Sequence, residues 1–154
     1  MGKALVIKDA DYSAQAIEQV CINWEDVTSQ FFEEHPVEQK YWNPDGAGKT
    51  TQASFVSFVS FISAEEGEYR ITINTGIGYR LLWNLGSEWS GVRRGSSRTD
   101  KITNAGTFVI YSKEILEMSE EGADYWCITF GKSGTNLSPT RLMQNVKIEK
   151  GVSQ

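Results

Sequence analysis

The run from Tyr69 to Arg94, YRITINTGIGYRLLWNLGSEWSGVRR, constrains the fold more than any other part of the chain. Tyr69, Ile71 and Ile73 alternate with Arg70, Thr72 and Asn74, the period of two expected of a strand with one buried face. Thr75-Gly76-Ile77-Gly78 interrupts the run, Tyr79 to Trp83 starts a second strand, and Asn84-Leu85-Gly86-Ser87 interrupts that one. Glycine reaches the positive φ of tight hairpin turns at no steric cost, so the punctuation has a mechanism. Short antiparallel strands follow, with aromatic and arginine side chains near their turns.

Further strands are expected at Lys3–Lys8, Thr107–Tyr111, Tyr125–Phe130 and Val146–Glu149. Ser54 to Ser63 (SFVSFVSFIS) carries apolar residues at 55, 58, 59 and 62, which also suits a helical face. Its phenylalanine and β-branched content favours a strand buried on both faces. Asp11 or Ser13 can cap a turn or two of helix over Ala14–Val20. Val27 to Tyr41 is polar, acidic and broken at His35-Pro36, so it reads as an irregular segment. About eight short strands without strand–helix alternation predict an all-β antiparallel sandwich, with a jelly roll as the leading topology. The expected organisation is an N-terminal arm over residues 1–40 and a sandwich domain over residues 41–154.

With 154 residues, the chain suits one domain with a real core. Apolar residues at 40% and charged residues at 23% are ordinary for a globular protein. A net charge of −5 speaks against a nucleic-acid partner, which needs clustered basic surface. No stretch approaches the ~20 apolar residues of a membrane span. The apolar run Ala4–Ile7 is too short for a signal peptide, so work outside a cell would require another route, of which virion assembly is one. Cys21 and Cys127 are expected as free, buried thiols rather than a disulfide. The single His35 cannot complete a four-ligand zinc set with them. No metal and no cofactor is expected.

Gly46-Ala47-Gly48-Lys49-Thr50-Thr51 invites a phosphate-loop reading. That loop needs a glycine at position 43, where Asn43 stands, and Pro44 removes one of the amides that would wrap a phosphate. It reads as a turn. Glu33, Glu34, Glu38, Glu120 and Glu121 are solvated charge, not carboxyls held across a cleft. No nucleophile sits in an elbow motif beside a base, so no catalytic residue is assigned.

Tryptophan and tyrosine faces can stack on sugar rings while arginine donates to hydroxyls. On that ground Trp83, Trp89, Arg93 and Arg94 form a candidate glycan-binding set, with Trp89 and Arg93 sharing parity. The competing reading is that such rings fill the core or a subunit interface. Val6, Ile7, Trp24, Phe31 and Phe32 precede the strand-rich region and are candidate assembly residues, since a lone arm would expose them.

The segment Lys3-Ala4-Leu5-Val6-Ile7-Lys8-Asp9-Ala10-Asp11-Tyr12-Ser13 resembles the opening of structural and appendage proteins carried by tailed phages of Bacteroidetes and by related prophages. Those proteins begin with an "LxIKGADFS"-type segment; here Asp9 replaces the glycine and Tyr12 the phenylalanine. Gly67–Thr72, Tyr79–Trp83, Trp89–Val92 and Ala123–Phe130 are similar to successive strands of the jelly-roll modules that follow in that family. The resemblance implies a non-enzymatic subunit on the virion exterior, a decoration of head or tail or a fibre, akin in fold to carbohydrate-binding domains. Short edge strands need covering, and a homo-oligomer would cover them, with a trimer suited to a fibre and contacts with other virion proteins expected. The alternative the resemblance leaves open is a carbohydrate-binding module for host surface polysaccharide. It carries over no defined binding residue.

Overall fold

The computed structural model describes residues 22–43, 48–74, 76–85, 93–97, 107–119 and 122–153, with the backbone alone for residues 22 and 93–97. The expected strand at Lys3–Lys8, the helical turns at Ala14–Val20, and Val6, Ile7, Cys21 and Trp89 lie outside the described residues.

In chain order the elements begin with β1 (Ile22–Asp26), α1 (Thr28–Glu34), β2 (Val37–Glu38), β3 (Lys40–Trp42) and β4 (Lys49–Thr51). They continue with β5 (Phe55–Phe58), β6 (Ile62–Ser63), a 3-10 turn (Ala64–Glu66), β7 (Tyr69–Asn74), β8 (Tyr79–Asn84) and β9 (Arg93–Ser97). The last are β10 (Thr107–Tyr111), α2 (Ser112–Glu117), β11 (Tyr125–Gly131), α3 (Pro139–Gln144) and β12 (Val146–Ser153). The helices are short, and α2 and α3 are locally capped. The Tyr111 amide donates to Glu114 at 3.0 Å ahead of α2, and Ser138 accepts from the Arg141 amide at 3.1 Å ahead of α3, whose first residue is Pro139.

One four-stranded sheet has the order β1-β12-β7-β10, and a larger one has β2-β5-β11-β8-β9 with β6 also on β11. Every pairing is antiparallel. Take the eight strands β1, β5, β7, β8, β9, β10, β11 and β12 in order. The first pairs with the eighth, the second with the seventh, the third with the sixth and the fourth with the fifth. One antiparallel ribbon has been rolled into two facing sheets, which is a jelly roll. The expected fold class stands.

Alternation along β7 explains how the sheets meet. Tyr69, Ile71 and Ile73 are buried while Arg70 and Thr72 keep part of their surface. From the facing sheet, Phe58, Trp126, Ile128 and Phe130 are wholly buried against them, and Ile115 of α2 and Leu142 of α3 join the same core. This interior is filled by large side chains, and their burial is the main favourable term of folding.

Two expectations are corrected. The N-terminal arm does not extend to residue 40. All five residues of β1 pair with β12, and α1 drives Phe31 into the core, where its ring lies 4.8 Å from Tyr69, 5.6 Å from Phe58 and 6.2 Å from Trp126. Trp24, Phe31 and Phe32 therefore belong to the sandwich itself. The acidic residues of 27–41 concealed a seven-residue helix with one apolar side. Ser54–Ser63 is likewise not one strand: β5 and β6 are separated by a bend, and both pair with β11. No helix among the described residues is long and apolar enough to cross a membrane.

Candidate functional site

Of the set expected around Trp83, only Trp83 itself has a described side chain. Trp83 is only 8% exposed and counts among the core residues. It pairs across strands with Trp126, and neither indole N–H has a hydrogen-bond partner among the described residues. Residues 93 and 94 lie in β9, with Arg93 in register with Trp83 and Arg94 with Leu82. The alternation rule placed Trp83 on a strand but not on a face. Trp83 follows the same parity as Leu81 and Tyr79, and its strand is buried on both sides.

Burial on the outward side of that sheet comes from the β3–β4 hairpin. Ser57, Thr129 and Arg80 form one cross-strand row. The Ser57 hydroxyl donates to the Lys40 carbonyl at 2.7 Å and lies 2.8 Å from the Thr129 hydroxyl. The Trp42 indole donates to the Phe58 carbonyl at 3.0 Å, and Lys49 donates to Val59 at 2.8 Å while pairing with Glu38. Arg80 donates to the Tyr41 hydroxyl. Cys127 lies beneath this cover and is a free thiol, with burial pushing its pKa up to about 12. Trp42 and Tyr41 are thus anchors of a covering hairpin.

The outward face of the four-stranded sheet is different. Register places Asp26, Glu149, Arg70 and Tyr111 in one row across β1, β12, β7 and β10. Lys147, Thr72 and Val109 form the adjacent row. Trp24 stands opposite Gly151, which has no side chain, and reaches along the face. Its ring lies 5.7 Å from that of Tyr111 at 59°, and the Arg70 guanidinium carbon lies 4.8 Å over it. Arg70 also donates to Glu149 at 2.9 Å, and Lys147 approaches the other Glu149 oxygen at 3.6 Å.

Electrostatics follow from these contacts. The Arg70 hydrogen bond holds the Glu149 carboxyl below its usual range, against the opposing effect of burial. Glu149, and then Tyr111, raise the Arg70 guanidinium. Asp26 is lowered first by hydrogen bonds from Thr28, with Lys147 adding to it. The result is two aromatic rings, two cations and two carboxylates, all partly exposed except Glu149, which is 7% exposed. Chemically this cluster can stack on an apolar ring face and offer both donors and acceptors to hydroxyls.

Sequence reasoning missed Arg70, Tyr111, Lys147 and Glu149 as a group. The alternation of β7 points Arg70 outward, but nothing local brings residues 24, 70, 111 and 149 together. Among the described residues no group of three or more His, Cys, Asp or Glu is placed to hold a metal ion. No protein family, no curated protein and no solved structure matches this chain.

Proposed function

We propose that this chain is a non-enzymatic building block of a phage particle, exposed on its exterior and working as a homo-oligomer alongside other virion proteins. The observation that carries the reading is the rolled ribbon of eight strands with a filled interior. A sandwich of this kind offers partners the outward face of its four-stranded sheet and, among the described strands, the edges β1, β10, β2 and β9, and edges are natural places for another chain to add. The N-terminal resemblance points the same way. A jelly roll by itself hosts many functions, so the assembly must be measured.

The test is light scattering on the full chain and on a chain lacking residues 1–21, which keeps every described element. The full chain is expected at one oligomeric mass and the shortened chain at a lower one, with unchanged circular dichroism. A full chain that stays monomeric up to ~100 μM, a range that covers ordinary subunit affinities, overturns the reading. Mass spectrometry of purified particles from a host carrying the coding sequence gives the second arm, and absence of the chain from them also overturns it.

A further inference from the structure

We infer that the outward face of the four-stranded sheet is a binding site for a neutral saccharide, centred on Trp24 and Tyr111 with Arg70, Glu149 and Lys147 beside them. The inference is independent of the virion reading.

Trp24 and Tyr111 each keep part of their surface in solvent. They meet on an outward sheet face rather than inside the sandwich. The carbon-bound hydrogens of a pyranose ring match such aromatic surfaces, and tryptophan, tyrosine and arginine are the side chains that concentrate binding energy when clustered.

Polar complementarity decides the ligand class. Arg70 and Lys147 supply donors, and the exposed Asp26 carboxylate supplies acceptors, while the buried Glu149 holds Arg70 in place. Neighbouring hydroxyls of a sugar are at once donors and acceptors, so they suit a paired cation and carboxylate, with charge-assisted hydrogen bonds as the strong ones. Two cations against two carboxylates leave no net charge to attract a polyanion. An acidic polysaccharide or nucleic acid is therefore the wrong partner.

The site is also held ready. Arg70 is fixed by the Trp24 ring on one side and the Glu149 carboxylate on another. A side chain already ordered in the free protein loses little entropy on binding.

The experiment uses the full chain labelled with nitrogen-15 and watches the side-chain N–H signals of its five tryptophans and of Arg70. Hexasaccharides of glucose, mannose, galactose and N-acetylglucosamine are titrated to ~10 mM, a range that captures single-site affinities from millimolar down. At least one is expected to shift the Trp24 and Arg70 signals together and saturably while the Trp126 indole stays unmoved. Trp24→Ala is expected to weaken that binding at least about tenfold, and Tyr111→Ala, carrying the same test from the other strand, to weaken it as well. Thermal unfolding confirms that each variant is folded.

No saturable shift with any of the four sugars overturns the inference, as does binding that survives both substitutions. Stronger binding of oligogalacturonate than of the neutral sugars overturns the charge argument and with it the proposal. If Trp24→Ala instead lowers the oligomeric mass, and no sugar shifts the signals, the face is a contact between copies and the proposal falls. A monomeric result in the assembly test leaves this measurement intact, so the two readings fail separately.

Discussion

Trp24 and Tyr111 sit on the opposite edge strands of a four-stranded sheet, yet their ring centroids are 5.7 Å apart. Adjacent strands lie ~4.8 Å apart, so β1 and β10 are separated by roughly 14 Å of backbone. The two side chains close that gap across the outward face, with the Arg70 guanidinium over the Trp24 ring. Gly151 stands opposite Trp24, and Arg70, over the Trp24 ring, is paired with Glu149 at 2.9 Å. Two strands that each pair with one neighbour among the described residues are thereby tied by side chains.

The tie is measurable by a double-mutant cycle. Trp24→Ala and Tyr111→Ala are each expected to lower stability, and the pair to show a coupling of ~0.5–1.5 kcal/mol. Each kcal/mol lost is worth about 2–4 °C in the melting temperature for a chain of this size. Urea unfolding of the four proteins gives the cycle directly. Strictly additive losses would mean that the rings touch without stabilising the sheet.

Phe31 supplies a sharper test of where the domain begins. Its ring is packed against Phe58, Tyr69 and Trp126 and is 2% exposed. Phe31→Ala is expected to cost about 3–5 kcal/mol, the usual range for emptying a buried phenylalanine site. Deleting residues 1–34 removes β1 and α1 together and is expected to leave an unfolded or aggregated chain. Deleting residues 1–21 is expected to spare the fold. A cooperative thermal transition in the longer deletion would return residues 22–34 to the status of an arm.

How much of this was legible depended on whether the signal was local. The period of two at Tyr69–Asn74 and the runs at 107–111, 125–130 and 146–149 became β7, β10, β11 and β12 because burial on one or both faces was written into neighbouring residues. The helix at Thr28–Glu34 was not legible. Its seven residues include no capping side chain of its own, and its two phenylalanines are adjacent rather than periodically spaced. Asp26, outside the helix, orders its start by accepting from the Thr28 amide at 3.0 Å. The cluster on the four-stranded sheet was illegible for a different reason: its members come from four strands spread between residues 24 and 149. Trp83 shows a further limit: its place beside a turn left both the stacking and the core reading open, and only the cross-strand pairing with Trp126 carries its ring inward.

Acid stability should depend on Glu149. Its folded pKa is depressed, chiefly by the Arg70 hydrogen bond. A depressed carboxyl contributes stability that is present above the unfolded glutamate value of ~4.3 and is lost as pH falls through the folded value. Glu149→Gln is expected to be less stable than wild type at pH 7, with the difference shrinking below about pH 4. Urea midpoints for both proteins between pH 3 and pH 7 are the check, and a difference that stays constant with pH would remove Glu149 from the acid response.

At the alkaline end the sign reverses, and Cys127 and Tyr69 carry it. Burial pushes both groups up to about 12. An acid whose folded pKa is raised keeps its proton in the native state while the unfolded chain releases it. Stability therefore falls as pH rises above the unfolded values, ~8.5 for a thiol and ~10 for a phenol, at about 1.4 kcal/mol per pH unit for each group until its folded value is reached. The thiol offers the cleaner test. On a Cys21→Ser background, Cys127 is expected to resist Ellman's reagent at pH 8 until denaturant unfolds the chain. Adding Cys127→Ala should flatten the decline in stability between pH 8.5 and pH 10. Prompt labelling of the native protein would mean that the thiol is open to solvent and that the β3–β4 hairpin does not seal the sheet beneath it.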